Sequence, residues 1–211
     1  RVGAGAVAVD LPAGPSEVMV LADNSARAEF VAADLLSQAE HGDDSQAILV
    51  CRTERFARQV TRAVEEQIRY LSRGEAIRNS LANSRIVLFD EEYKQIAFAN
   101  AYAPEHLIVS MRDAWGIAAK ITAAGSVFIG NYSPESAGDY ASGTNHTLPT
   151  GGWARACSGV NVDSFMRKIT FQELTRDGLD ARAPAITAMA EAEGLDAHAN
   201  AVRVRMKGGI L

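Results

Sequence analysis

Cysteine is scarce in this 211-residue chain, which has only Cys51 and Cys157. A disulfide scaffold needs more, so both are read as small buried residues, and nothing points to an oxidising compartment. Long apolar runs are missing too. The longest uncharged stretch, Tyr140 to Ala154, is polar and falls short of the ~20 apolar residues that cross a bilayer. Positive charge is in deficit: 21 Lys and Arg stand against 26 Asp and Glu, a formal net charge of −5. That balance withholds the basic surface that nucleic acid or an anionic membrane demands. There is no C-x-x-C pair, H-E-x-x-H, G-x-S-x-G, P-loop or G-x-G-x-x-G. The first residue is Arg and no signal peptide precedes it, so a processed or truncated piece in a cytoplasmic setting is expected. What remains is 47% hydrophobic and 22% charged, the balance of a globular protein. At roughly 150 residues per domain, that is one large domain with room for a small appendage.

The first two-thirds alternates between short apolar runs and longer amphipathic stretches. Strands are predicted at Val18–Ala22, Ile48–Cys51, Ile86–Phe89, Leu107–Val109 and Val127–Gly130. Helices are predicted at Ala26–Ala39, Thr53–Leu71, Gly74–Asn83, Glu91–Tyr102 and Asp113–Lys120. Such alternation predicts an α/β fold, a parallel sheet with helices on its faces. From Asn131 to Gly159 the pattern stops in a segment rich in Gly, Ser, Thr, Asn and Pro. A loop of that length inside a compact domain is usually functional, and Tyr132, Tyr140, His146 and Trp153 suit a solvated linker poorly. Helices at Ser164–Arg176 and Pro184–Met206, with breaks at Gly178 and Gly194, make a small C-terminal helical appendage. The expected division is 1–160 and 161–211.

The four histidines are His41, His106, His146 and His198. A lone histidine is more often a hydrogen-bonded structural group than a ligand. Gln38 and His41 stand three apart, neighbours on one helix face if the helix runs that far. Their nitrogen and oxygen atoms suit a metal. Glu105 and His106 pair the two side chains most used for proton transfer near neutral pH, and Pro104 before them favours a turn. Asp139 and His146 lie in the long loop, whose glycines let backbone approach a ligand closely. Glu193 and His198 flank a helix break. Each signal alone is weak.

Taken together the words are specific. LPAGPSEVMVLAD at Leu11–Asp23, DLLSQAEHGDDSQ at Asp34–Gln46, YAPEHLIV at Tyr102–Val109, AGSVFIGNYSPESAGDYASGTNHTLPT at Ala124–Thr150 and EGLDAHANAV at Glu193–Val202 resemble histidinol dehydrogenase. The resemblance runs over essentially the whole chain but covers only the C-terminal half of the family. It implies a fragment or a shortened relative with an incomplete Rossmann-like sheet.

The resemblance further implies oxidation of L-histidinol through L-histidinal to L-histidine, ending histidine biosynthesis, with two NAD⁺. It implies a homodimer with one Zn²⁺ per active site. The zinc ligands it implies are Gln38, His41 and Asp139, with His198 from the partner subunit. Glu105 and His106 are the implied proton-transfer residues. Ser16, His146 and Glu193 join Gln38, His41, His106, Asp139 and His198 in holding substrate. Every histidine is then occupied. Most NAD⁺ contacts are expected in the absent N-terminal half, and no residue here is assigned to them. Two alternatives stay open on the residues: a zinc hydrolase with Glu105 as base, and a metal-binding or assembly module inactive by itself.

Overall fold

The computed structural model describes residues 11–12 and 14–206. Ala13 of the LPAGPSE motif and both ends of the expected division, 1–10 and 207–211, lie outside the described residues. The described residues form two compact units that divide between Met166 and Arg167.

In the first unit five strands are described: β1 (Glu17–Ala22), β2 (Gln46–Cys51), β3 (Arg85–Leu88), β4 (His106–Ser110) and β5 (Ser126–Ile129). All pair in parallel, in the order β3-β2-β1-β4-β5. This is the doubly wound order, in which the winding reverses between β1 and β4. The helices are α1 (Ala28–Ala39), α2 (Glu54–Gln67), α3 (Gly74–Leu81), α4 (Glu92–Tyr102), α5 (Ala114–Ala118) and α6 (Glu135–Tyr140). The expected α/β class with a parallel sheet is therefore observed.

The alternation of strand side chains explains the two layers. β1 is apolar after Glu17 and buried throughout, as a strand covered on both faces must be. Val18, Val20 and Ala22 pack with Val31 and Leu35 of α1 and with Phe56 and Val60 of α2. Met19 and Leu21 pack on the other face with Ala99 of α4 and with Ala114 and Ile117 of α5. Each fully buried Val, Leu, Ile, Phe or Met side chain among them stabilises the fold by roughly 1.5–3 kcal/mol. The register sets Val18 beside Ala47 on one side and beside His106 on the other.

The long loop expected over 131–159 contains α6 and a 3₁₀ turn at Trp153–Arg155. The sequence ESAGDY lacks an apolar stripe, so periodicity could not reveal this helix. A close approach seats it: a Cβ at Gly138 would come within 2.6 Å of the Phe128 ring on β5. The helix expected over 164–176 is absent. A 3₁₀ turn at Val162–Phe165 is followed by an exposed stretch with no regular structure up to Thr175. That stretch buries no apolar face, and propensity alone rarely sustains a short helix.

The second unit holds α7 (Arg176–Ala192) and α8 (Asp196–Met206). The Thr175 hydroxyl caps α7 by accepting from the Gly178 amide at 3.1 Å, so Gly178 lies inside the first turn instead of breaking the helix. Gly194, at φ +71°, makes the left-handed turn between the two helices.

Candidate active site

The strands start on one rim of the sheet, and the chemistry-bearing side chains gather there. His106 opens β4 and Glu105 precedes it; both are buried. Ala103, in the left-handed region at φ 57°, ends α4 and turns the chain through Pro104 into β4. A Cβ at Gly125 would come within 2.6 Å of the Glu105 carbonyl oxygen, so only glycine lets β5 start so close.

The Glu17 backbone locks the Glu105–His106 pair. Its N–H donates to Glu105 Oε2 at 2.9 Å, and its carbonyl lies 3.2 Å from His106 Nδ1. That contact selects the tautomer with the proton on Nδ1 and leaves Nε2 bare. His106 Nε2 is buried without a hydrogen-bond partner, 3.9 Å from Asp139 Oδ1. Burial holds the imidazole below its ordinary pKa, outweighing the Glu17 carbonyl and the Asp139 carboxylate, so it is neutral at pH 7. Glu105 Oε2 lies 3.5 Å from Nδ1. Burial pushes the Glu105 carboxyl up to about 7, with the Glu17 and Asp139 charges adding. The pair is thus an unprotonated imidazole beside a carboxyl that exchanges its proton near neutrality, which suits general acid–base work.

Beside this pair lies a cluster with metal-ligand chemistry. One ligand atom from each of His41, Glu135 and Asp139 lies within 4.8 Å of the others. α1 ends at Ala39, and His41 follows the cap residue Glu40, its N–H donating to the Gln38 carbonyl at 3.2 Å. The Gln38 side chain is fully buried, and neither amide atom has a partner. Ser16 and His41 line one cavity of about 520 Å³, with Gly14, Pro15, Gly42, Asp44 and Ser45. His146 is exposed in the loop after α6 and is not part of the His41–Glu135–Asp139 group. Glu193 caps α7 and His198 lies in the first turn of α8; both are exposed on the second unit.

Three residues escaped the sequence reading. Glu135 is buried in the cluster, four residues before Asp139 on α6, a one-face spacing legible only once the helix is known. Its carboxyl is pushed up to about 8 by burial and by the Asp139, Asp34 and Glu105 charges. Asp34, one turn before Gln38 on α1, is raised to about 7 by burial. Glu17 braces the rim, its carboxylate accepting from the Tyr102 hydroxyl at 2.6 Å and the Gly151 amide at 2.7 Å.

A sequence model described as histidinol dehydrogenase matches residues 1–206. The chain belongs to the histidinol dehydrogenase family. It is 59% identical over 201 residues to histidinol dehydrogenase of Bacteroides fragilis (strain YCH46), covering 95% of this chain and 47% of that protein. It is 50% identical over 205 residues to that of Legionella pneumophila (strain Lens), covering 97% and 48%. A crystal structure of histidinol dehydrogenase from Elizabethkingia anophelis matches with a TM-score of 0.93 and 57% identity, covering 95% of this chain and 46% of that one. The chain thus spans about half the length of the family members it matches.

The donor set fits the zinc that the family resemblance implies. It offers imidazole nitrogen, carboxylate oxygen and a buried amide lacking any protein partner, and zinc takes nitrogen and oxygen ligands. A dinucleotide fits this chain less well. The β1–α1 turn, Asp23 to Arg27, contains no glycine, whereas a pyrophosphate cradle needs glycines there.

Proposed function

We propose that this chain carries the metal-binding and proton-transfer half of an NAD-dependent histidinol dehydrogenase. The complete protein oxidises L-histidinol through L-histidinal to L-histidine, the last steps of histidine biosynthesis, and reduces two NAD⁺. The observation that carries the reading is the buried His106 imidazole, whose bare Nε2 faces Asp139 beside the His41–Asp139 cluster.

Gln38, His41 and Asp139, with His198 of the partner subunit in a homodimer, are the residues that would hold one zinc ion. Bound there, zinc would orient the substrate and add an electrostatic contribution. NAD⁺ supplies the hydride acceptor, and its contacts are assigned to no described residue. The family resemblance also gives Ser16, His146 and Glu193 to the substrate. His106 Nε2 takes the hydroxyl proton as the alcohol carbon is oxidised to the aldehyde. Glu105 removes a proton from the water that adds to the aldehyde, and the resulting hydrate again presents a hydroxyl to His106. A second oxidation then yields the carboxylate. The sum is one water consumed and two hydrides lost, with protons released through His106 and Glu105.

The test uses the full-length protein. His106→Asn is expected to lower turnover by roughly 10²–10⁴-fold and to keep its metal. His41→Asn is expected to lose the metal. Full metal content in His41→Asn defeats the ligand assignment. Consumption of histidinol with no change at the nicotinamide absorbance band would overturn the NAD-dependent oxidation.

A further inference from the structure

Glu135 has little in the protein to explain its position. It is 1% exposed, neither carboxylate oxygen has a partner at ordinary hydrogen-bond geometry, and the nearby Ser37 side chain is the one group that acts to favour its charged form. Burying an unsatisfied carboxylate is among the costlier things a fold can do, so a ligand is the natural explanation. The surroundings say which kind. One of its oxygens lies within 4.8 Å of an imidazole nitrogen of His41 and an oxygen of Asp139. The first turn of α6 puts Glu135 and Asp139 on one face, and α1 brings the equally unpartnered Gln38 amide and Asp34 to the same region. Among the described residues no lysine or arginine is seen to act on the Glu135 or Asp34 carboxyl, and carboxylates crowded together in this way call for a cation.

We propose that Glu135 is a further metal-facing carboxylate, so that the first unit alone offers a divalent cation four donors: Gln38, His41, Glu135 and Asp139. Two carboxylates balance the double charge, and oxygen with imidazole ligands suits zinc and its divalent neighbours. The cation is then loaded by one chain, and His198 of a second chain completes a site already occupied. This rests on the reading of Gln38, His41 and Asp139 as ligands.

The experiment titrates Zn²⁺ into the metal-free full-length protein against a chromophoric competing chelator. Wild type, Glu135→Gln, Glu135→Asp, His198→Asn and His41→Asn are compared. Glu135→Gln is expected to weaken zinc by at least ~10-fold, as loss of a group near a metal does. Glu135→Asp is expected to restore part of that loss. His198→Asn is expected to retain one zinc per chain. Circular dichroism of each metal-free variant reports folding, and Glu135→Gln, a near-isosteric change, is expected to remain folded. Wild-type affinity in Glu135→Gln, with zinc lost in His41→Asn, overturns the role of Glu135 and leaves the site standing. Wild-type affinity in both overturns the site itself. Loss of zinc in His198→Asn as complete as in His41→Asn overturns loading by one chain.

Discussion

The two rims of the parallel sheet treat polar groups in opposite ways. Where the strands end, polar side chains satisfy one another. Asp23, after β1, accepts from the Ser25 amide at 2.8 Å, from the Ser25 hydroxyl and from the Arg112 amide at 3.0 Å. Asn131 accepts from the Ser110 hydroxyl and donates to the Ser25 carbonyl at 3.2 Å. Burial acts to raise the Asp23 carboxyl, but these hydrogen bonds outweigh it and hold the group below its ordinary value. Where the strands begin, Gln38, Glu135 and His106 Nε2 are buried without partners, and Glu105 and Glu135 are pushed up to about 7 and about 8. Gln95 on α4 also has one orphaned amide oxygen, but its nitrogen donates to the Phe89 carbonyl at 3.3 Å. Doubly wound sheets usually bind ligands beyond the carboxyl ends of their strands. In this unit the unsatisfied chemistry is at the opposite rim.

Paired substitutions test that contrast. Asp139→Asn is expected to have the largest effect, a loss of turnover and zinc affinity of at least ~100-fold with a nearly unchanged melting temperature in the metal-free protein. The matching change on the other rim, Asp23→Ala, leaves the Arg112 and Ser25 amides without their acceptor. It should cost about 0.5–1.5 kcal/mol of stability and leave the kinetics intact. A denaturant midpoint and a steady-state assay on both variants decide the matter; if Asp23→Ala abolishes turnover, the rims are not functionally distinct.

A pH series separates the rims by sign. Folded Glu105, Asp34 and Glu135 hold their protons up to about 7, about 7 and about 8, whereas the unfolded chain releases them near pH 4. The native state therefore binds more protons across that window, and the metal-free protein should lose stability as pH rises from about 5 to about 8. Asp23 has the opposite sign, its contribution being lost only as pH falls below the carboxylate range. Urea midpoints in the presence of a chelator check the trend.

The smallest expected effect is Ala103→Gly. Relief of the left-handed backbone gains ~1–2 kcal/mol, while loss of a buried methyl costs about 0.8 kcal/mol. A melting temperature close to that of the parent is expected.

The sheet was legible because buried strands announce themselves: VMVLA and ILVC are continuous apolar runs bounded by capping residues. The candidate site was proposed from long specific words, since the spacing of Gln38 and His41 alone is weak. Glu135 stayed hidden because α6 has no apolar periodicity, and without the helix its spacing to Asp139 has no meaning. Glu17 stayed hidden because it opens an apolar strand, where nothing in sequence reveals that its backbone would hold both Glu105 and His106.

The pairing of Val18 with His106 reaches beyond architecture. Side chains alternate along a strand, so a one-residue slip of β4 against β1 would turn the imidazole to the opposite side of the sheet. Such a misaligned molecule would keep its helical content by circular dichroism and yet be inert. For the proposed full-length enzyme, the specific activity of refolded material is therefore an assay of strand alignment.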